Sequence, residues 1–153
     1  MSDSEKSGSK LMEMVMRGKN YRETEQLEMF GEEVEIILRP LVDAEFLPIS
    51  ALLQQKFDMD EDDAVDAIED AKEDAEERGE DYIDVSQFDD DFVKLMQKAA
   101  KLGIAEDDMG HTQEEIDMMV HNMVGGFSVE IGGMVLETSG DIRDAEKFRG
   151  GRR

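Results

Sequence analysis

The sequence predicts a mainly α-helical fold with a small N-terminal β-hairpin, an α+β arrangement in which a single compact helical domain has flexible termini. Apolar residues recur at helical spacing over most of the chain, and they alternate with polar residues over about residues 22–39. The 153 residues suffice for one hydrophobic core. We therefore expect a disordered arm at residues 1–9, a single domain at 10–148 and a basic tail at 149–153.

The N-terminal part should contain a short helix followed by the hairpin. Residues 1–9 are small and polar, which predicts the disordered arm. The apolar segment from Leu11 to Met16 predicts a helix that ends at Gly18. Two alternating segments then flank Gly31, which suits a tight turn, so we place the hairpin at about 22–39. A hairpin alone is marginal and must pack on helices or pair with another chain.

Helical spacing and capping residues predict five further helices. Asp43 and Ser86 are expected N-caps, and Thr112 with Glu115 forms the pattern of a capping box. The predicted helices cover about residues 44–57, 61–77, 86–102, 113–138 and 141–148, with glycines interrupting the fourth.

Residues 125–139 fit two structures. Phe127, Val129 and Ile131 alternate ahead of Gly132-Gly133, as in a second hairpin. However, the apolar stripe of the preceding helix continues through the glycines, which favours a glycine-interrupted helix. We adopt the helix and keep the hairpin as the alternative.

Acidity sets the expected environment. Forty acidic residues against 17 basic ones give a formal net charge of −23. Such charge opposes compaction at ordinary ionic strength, whereas molar salt shortens the Debye length to about 3 Å. Because the acids are spread along the chain, they favour a protein of a halophilic, salt-accumulating cytoplasm over a mesophilic acidic adaptor. They argue against nucleic-acid partners, which require a basic face.

The chain carries no sign of secretion or membrane insertion. It has no cysteine, its first residues do not have the pattern of a signal peptide, and its apolar runs fall short of the about 18 residues that span a bilayer. We expect a soluble protein that stays inside the cell that makes it and has no membrane partner.

One acidic segment resembles the calcium loop of an EF-hand. The residues at loop positions one, three, five, nine and twelve are Asp58, Asp60, Asp62, Asp66 and Glu69. Position six, normally glycine, is Asp63. The alternative is the start of a solvated helix, whose positive N-terminus favours acidic residues. We prefer the helix start and expect no bound metal.

No catalytic motif is recognisable. His111 and His121 are the only imidazoles, and we expect them in a turn and on a helix surface rather than in a metal or general-base site. No phosphate loop or serine triad is suggested by the spacing. We therefore expect neither enzymatic activity nor a cofactor.

Both ends of the chain could bind partners. Leu11, Met12 and Val15 belong to a Met-rich segment that either docks on a partner or packs on its own domain. The C-terminus concentrates positive charge that either contacts an acidic surface, including a second copy of this chain, or remains solvated. Its candidate residues are Phe148, Arg149, Arg152 and Arg153.

The order of these elements resembles a family of viral proteins. A strand-containing start leads into amphipathic helices, and the chain closes with Val135-Leu136-Glu137-Thr138-Ser139-Gly140 and Lys147-Phe148-Arg149. This arrangement, over about residues 30–149, is similar to the tail assembly chaperones and related tail-morphogenesis proteins of long-tailed viruses. Together with the acidity, it points to a virus or provirus of a halophilic archaeon.

Membership would imply a non-enzymatic protein that binds apolar segments of the tape-measure protein, or other tail proteins, before the tail tube polymerises. The Met and Phe faces of the helices would be the means. Tail-completion and head–tail connector proteins, which are retained in the virion, are an alternative of similar size. A host acidic adaptor and a calcium-responsive protein are further alternatives.

Overall fold

The computed structural model describes residues 3–80 and 82–143. This part of the chain forms seven helices and one two-stranded antiparallel sheet. The mainly α-helical fold class with a small N-terminal hairpin is therefore confirmed. The elements are α1 (Asp3–Lys19), β1 (Glu23–Met29), β2 (Glu32–Leu38), α2 (Asp43–Phe57), α3 (Glu61–Glu77), α4 (Asp90–Gly103), α5 (Glu106–Met109), α6 (Gln113–His121) and α7 (Phe127–Arg143).

The hairpin turns through two residues, Phe30 and Gly31. Met29 pairs with Glu32 on either side of them, and both turn residues have positive φ angles, 53° and 82°. This is the backbone of a type I′ turn, whose twist matches that of paired strands. Gly31 was predicted at the turn, whereas a bulky residue such as Phe30 is rare in this conformation.

A short segment after α4 fixes the hairpin to the helices. The Arg39 N–H donates to the Gly103 carbonyl oxygen at 2.8 Å, and the Ala105 N–H donates to the Ile37 carbonyl oxygen at 2.9 Å. Residues 103–105 thus meet the end of β2 in an isolated antiparallel β-bridge, with Leu38 opposite Ile104. The hairpin also buries apolar side chains on the helices, so it is not left as an isolated pair of strands.

The core centres on a close contact between α4 and α7. Gly132 of α7 lies against the backbone of α4, where a Cβ atom would collide with the Met96 carbonyl oxygen. Gly103 of α4 lies equally close to α7, because a Cβ atom on Gly103 would collide with Val135. The two helices can approach this closely only because these positions have no side chain.

The α3 helix covers another side of α7 with a face of small apolar residues. Gly133 lies against Ile68, whose Cδ1 would be 2.9 Å from an added Cβ atom. The buried residues of α3 are Ala64, Ile68, Ala71 and Ala75. The remaining thirteen residues are ten acids, one lysine, Val65 and Ala67, which gives the helix a strongly amphipathic character.

The expected disordered arm is not seen from Asp3 onward, because α1 begins there. Serine and glycine lower helix propensity but do not forbid a helix, and a single glycine costs about 1 kcal/mol relative to alanine. Only Gly8 interrupts this stretch, and no proline does. The helix predicted from Leu11 thus extends by two turns toward the N-terminus.

The third predicted helix begins later than residue 86. Asp84 accepts hydrogen bonds from both the N–H and the hydroxyl of Ser86, so Ser86 lies within a 3-10 turn and caps no α-helix. Asp89 is the actual N-cap, because its side chain accepts from the Asp91 N–H at 2.9 Å. The first cap also shifts: α2 starts at Asp43, with Val42 at the N-cap.

Residues 113–138 form two helices rather than one interrupted helix. The Thr112–Glu115 capping box is present at the start of α6. The chain then breaks between His121 and Phe127, where Gly125 and Gly126 both have positive φ angles. The helical interpretation of residues 127–139 is correct and the second hairpin is wrong, since α7 runs uninterrupted through Gly132-Gly133.

The prediction that a separate helix begins at residue 141 is wrong. Helix α7 passes through Ser139, Gly140 and Asp141 without a break and extends to Arg143. The hydroxyl of Ser139 accepts from the Leu41 N–H at 2.9 Å and donates to the Val135 carbonyl oxygen at 2.8 Å. Ser139 therefore connects α7 to the segment before α2 at the point where we expected the helix to end. Residues 144–148 lie outside the described part.

The Gly132 contact gives a stability prediction. Gly132→Ala should lower the free energy of unfolding by about 1–3 kcal/mol, because the added methyl forces α7 away from α4. As a control in the same helix, Gly140 has open space around it among the described residues. Gly140→Ala should raise the free energy of unfolding by up to about 1 kcal/mol through helix propensity. Urea denaturation in molar KCl measures both, and equal effects would contradict the close contact.

Candidate functional site

Three apolar residues of α1 are largely exposed. Leu11, Met12 and Val15 are 67%, 61% and 56% exposed. Met14 and Val15 line a cavity beside Phe46, so α1 lies against the domain while much of its apolar surface stays open. Leu11, Met12 and Val15 form an apolar stripe at helical spacing, which we call the α1 stripe, and its role in docking stays a prediction.

The other candidate partner-binding residues were placed at the C-terminus. Phe148, Arg149, Arg152 and Arg153 lie outside the described residues. The basic tail at residues 149–153 lies there as well, and its role in binding a partner stays a prediction.

The calcium-loop pattern falls on a helix start. Asp58 follows α2 as its left-handed C-cap, and Asp60 is the N-cap of α3, where its side chain accepts from the Asp63 N–H at 2.8 Å. Asp62, Asp66 and Glu69 lie within α3 and are exposed. The interpretation as the start of a solvated helix is confirmed. Within the described residues, no group of three or more acids or histidines is placed to hold a metal ion.

The two histidines are where the sequence placed them. His111 lies in the turn before α6, with its Nδ1 3.9 Å from Glu115 Oε2 at the surface. His121 is the last residue of α6 and is exposed. Neither lines the groove described next.

An apolar groove runs between the hairpin and the α6–α7 region, with a volume of about 280 Å³. We call it the Met groove, because four methionines line it. Its lining residues are Leu27, Met29, Phe30, Val34, Glu35, Ile36, Ile104, Met109, Met119, Asn122, Met123, Val124, Phe127 and Ile131. Glu35 and Asn122 are the two polar residues among them, so the groove offers mainly apolar surface that adapts to different shapes.

Phe30 stands at the mouth of the Met groove. It contacts Phe127 edge-to-face with ring centroids 5.3 Å apart, yet 67% of it is exposed. Its left-handed backbone costs about 1–2 kcal/mol relative to a right-handed one. Strained residues of this kind concentrate at ligand clamps, where the surrounding structure holds them in place.

Further exposed apolar side chains surround the groove. Val34, Met118, Met119 and Val124 lie on its rim or beside it, and Val124 is 63% exposed. Ten of the fifteen large apolar side chains that are exposed in the described part belong either to α1 or to this rim. Such clustering distinguishes an interaction surface from the scattered apolar residues that any protein exposes.

Negative charge surrounds the Met groove on both walls. Residues 23–38 include six glutamates and no basic residue, and α6 includes three acids and neither lysine nor arginine. Glu28 and Glu33 lie directly opposite each other on the two strands, an arrangement that destabilises a sheet through like-charge repulsion. The groove is therefore an apolar strip within a negative field.

A larger cavity of about 620 Å³ lies near the junction of α1 and β1, and both of its arginines are held by carboxylates. Arg39 donates two hydrogen bonds to Glu45, each of 2.9 Å. These bonds, with one from the Val42 N–H, hold the pKa of Glu45 below its ordinary value. Arg22 donates to Asp108 at 2.7 Å. The arrangement joins the hairpin to α2 and α5 and is structural.

One carboxyl has a raised pKa, and it is also structural. Glu130 of α7 is largely buried, and desolvation raises its pKa although Lys72 of α3 donates to it at 3.0 Å. A raised pKa can mark a catalytic acid. Here the pair bridges two packed helices and does not line the Met groove, so it offers no substrate site.

No family model, curated protein or solved structure matches this chain. Among the described residues, no helix combines the length and the hydrophobicity needed to cross a bilayer. The assignment of a functional site therefore rests on the geometry of this chain, and the Met groove is the best candidate. Sequence reasoning missed this groove, because Met29, Met109 and Met119 come from three separate elements. The available signal was an excess of methionine, 12 residues, in a chain without tryptophan.

Proposed function

We propose that this protein is a non-enzymatic binding protein whose Met groove holds an apolar segment of a partner protein. The observation that carries the proposal is the groove itself, with methionine walls and the exposed, left-handed Phe30 at its mouth. Its volume accommodates apolar side chains projecting from a helix or strand, a common mode of peptide recognition. Methionine walls suit such a task because their flexible side chains repack around different ligands.

Charge defines the partner more closely. Because the hairpin and α6, which form the two walls, carry acids and neither lysine nor arginine, the fitting segment is an amphipathic helix with an apolar face and basic flanks. In molar salt, screening limits charge effects to a Debye length of about 3 Å. Apolar burial then supplies most of the affinity, while the charges favour one orientation and reject acidic segments.

The most specific form of this function is that of a tail assembly chaperone. The proposed client is the tape-measure protein, whose apolar segments must be held before the tail tube forms. The resemblance in element order supports it, together with an apolar groove that accommodates side chains from one face of a helix. A tail-completion or head–tail connector protein retained in the virion is the second candidate. The exposed α1 stripe favours it, since a component with permanent neighbours needs apolar contacts on more than one side.

A salt-rich cytoplasm is the proposed environment, with the virion as the alternative location. On α3, nine of the ten acids are exposed. Lys72 is the single basic residue of that helix, and it pairs with Glu130 of α7. Unbalanced surface charge of this kind requires screening for a compact fold. A host acidic adaptor would share this surface, so the environment does not decide the partner.

A substitution at Phe30 tests binding with little effect on stability. Phe30→Asn should leave the free energy of unfolding within about 1 kcal/mol of the wild type, because relief of the left-handed strain offsets the lost aromatic contact. Affinity for an amphipathic partner should fall about tenfold or more, as expected for a central aromatic anchor. The probe is a fluorescein-labelled helical peptide with a leucine face and lysine flanks, titrated in molar KCl and followed by anisotropy.

Two controls accompany this titration. A scrambled peptide of identical composition should not bind, which excludes nonspecific attraction to the acidic surface. Leu47→Asn removes an exposed apolar side chain on α2, away from the groove, and should leave affinity unchanged. Equal affinities of wild type and Phe30→Asn for the peptide would show that the groove is not the binding site.

Salt dependence tests the proposed environment. Dilution from about 1 M to about 0.01 M KCl lengthens the Debye length from about 3 Å to about 30 Å. Repulsion among the exposed acids should then unfold the chain, seen as loss of the far-ultraviolet helical signal. Sodium chloride at equal ionic strength serves as the control for a specific potassium effect. A cooperative thermal melt that persists in dilute buffer contradicts the halophilic interpretation.

Gene order and virion composition test the assignment to tail assembly. The gene should lie beside those for the tail tube and the tape-measure protein, and the product should be absent from purified virions. Mass spectrometry of virions makes the second comparison, with tube protein as the internal reference. Presence at a fixed copy number would instead indicate the connector alternative, and a position among metabolic genes would reject both.

A further inference from the structure

We infer that α1 of one copy of this protein places its apolar stripe in the Met groove of a second copy. The inference rests on the groove assigned above and names what fills it when no client is bound. The client and α1 then compete for one site, so that the protein protects its own apolar surfaces until a client displaces the neighbouring copy.

The α1 stripe and the Met groove have complementary shapes. The α1 stripe is convex, because Leu11, Met12 and Val15 project from one side of a helix at spacings of three and four residues. The Met groove is concave and apolar. Apolar side chains of one helix entering a groove of another protein are the general pattern of helix-in-groove recognition.

The α1 stripe does not fill the groove of its own chain. Strand β1 starts at Glu23, just after α1, and reaches the groove at Leu27 and Met29. At about 3.3 Å per residue, Glu23 and Leu27 are roughly 13 Å apart. Met14 and Val15 instead line a cavity with Phe46, at the start of α2. Among the described side chains, none from α1 lines the groove of its own chain, and we therefore place the partner of the stripe in another molecule.

Charge selects a second copy over an unrelated apolar helix. Residues 8–19 carry three basic residues, Lys10, Arg17 and Lys19, against one acidic residue, Glu13. The opposite holds at the groove, where the hairpin is purely acidic. Lys10 and Arg17 approach Glu13 at 3.9 and 3.4 Å at the surface. Exposed pairs of this kind contribute little, so these cations remain available to a partner.

The hairpin provides a specific site for such cations. Glu35 lines the groove and Glu32 lies opposite the groove residue Met29, so a basic side chain at this edge would meet negative charge. A second copy brings lysine and arginine to this place together with the apolar stripe. The same molecule thus supplies both the apolar and the electrostatic complement of the groove.

The contact is head-to-tail, because a helix at one place meets a groove at another. Such heterologous contacts form open chains or closed rings and do not stop at a symmetric dimer. In the wild type, the average mass should therefore rise with protein concentration. An excess of the leucine-faced peptide should reduce it to that of one chain.

Two charge-neutral double variants test the contact. Leu11→Gln with Val15→Gln removes the stripe, and Phe30→Asn with Val124→Gln removes the mouth of the groove. All four side chains are more than half exposed, so both proteins should fold, as circular dichroism checks. Each variant alone should weaken self-association at least about tenfold, the effect of losing an interface anchor. Leu47→Gln is the matched control and should associate like the wild type.

Mixing the two variants gives the decisive measurement. One variant retains the groove and the other retains the stripe, so an equimolar mixture should form a complex of two chains that grows no further. Light scattering coupled to size-exclusion chromatography in molar KCl reads this mass. A mixture that stays monomeric, or a groove variant that associates like the wild type, overturns the inference.

Peptide binding distinguishes failure of this inference from failure of the proposed function. If the stripe variant binds the leucine-faced peptide while the wild type is monomeric at every concentration, the groove serves clients and the self-contact is wrong. If the variants complement each other but no peptide binds, the self-contact stands and the client function is wrong. Loss of peptide binding in the stripe variant also overturns the inference, because α1 would then belong to the client site.

Discussion

The close approach of α4 and α7 at Gly132 is the constraint on which the remaining structure depends. Two helices normally keep 8–10 Å between their axes, set by the side chains between them, and here both contribute glycines at the contact. Gly132 lies against the Met96 carbonyl oxygen, and Gly103 lies against Val135. The core is therefore organised around backbone proximity, and larger apolar residues fill the space on either side.

The Met groove follows from this arrangement. The first turn of α7 provides Phe127 and Ile131 to its inner wall. The end of α4 leads into residues 103–105, which hold β2 through backbone hydrogen bonds. One packed helix pair thus positions both walls of the groove, one through side chains and one through the hairpin. This explains how a surface with adaptable methionines can sit on a rigid support.

The sequence was informative where the signal is local and silent where it depends on distant parts of the chain. The hairpin was predictable from alternation and Gly31, and the α6 cap from the spacing of Thr112 and Glu115. Acidity at Asp60–Asp63 was correctly attributed to a helix start. The groove was not predictable, because its walls come from residues far apart in sequence. Phe30 gave no warning either, since phenylalanine is unusual at a left-handed turn position.

The pairing of β2 with residues 103–105 has a consequence for synthesis on the ribosome. The hairpin emerges about 65 residues before its third partner, at a synthesis rate of roughly 5–20 residues per second. For several seconds, the open edge of β2 is available to other nascent chains, the situation that leads to edge-to-edge aggregation. Short strands and six glutamates protect it during that interval. The charge that serves the folded protein in salt thus also serves the unfinished chain.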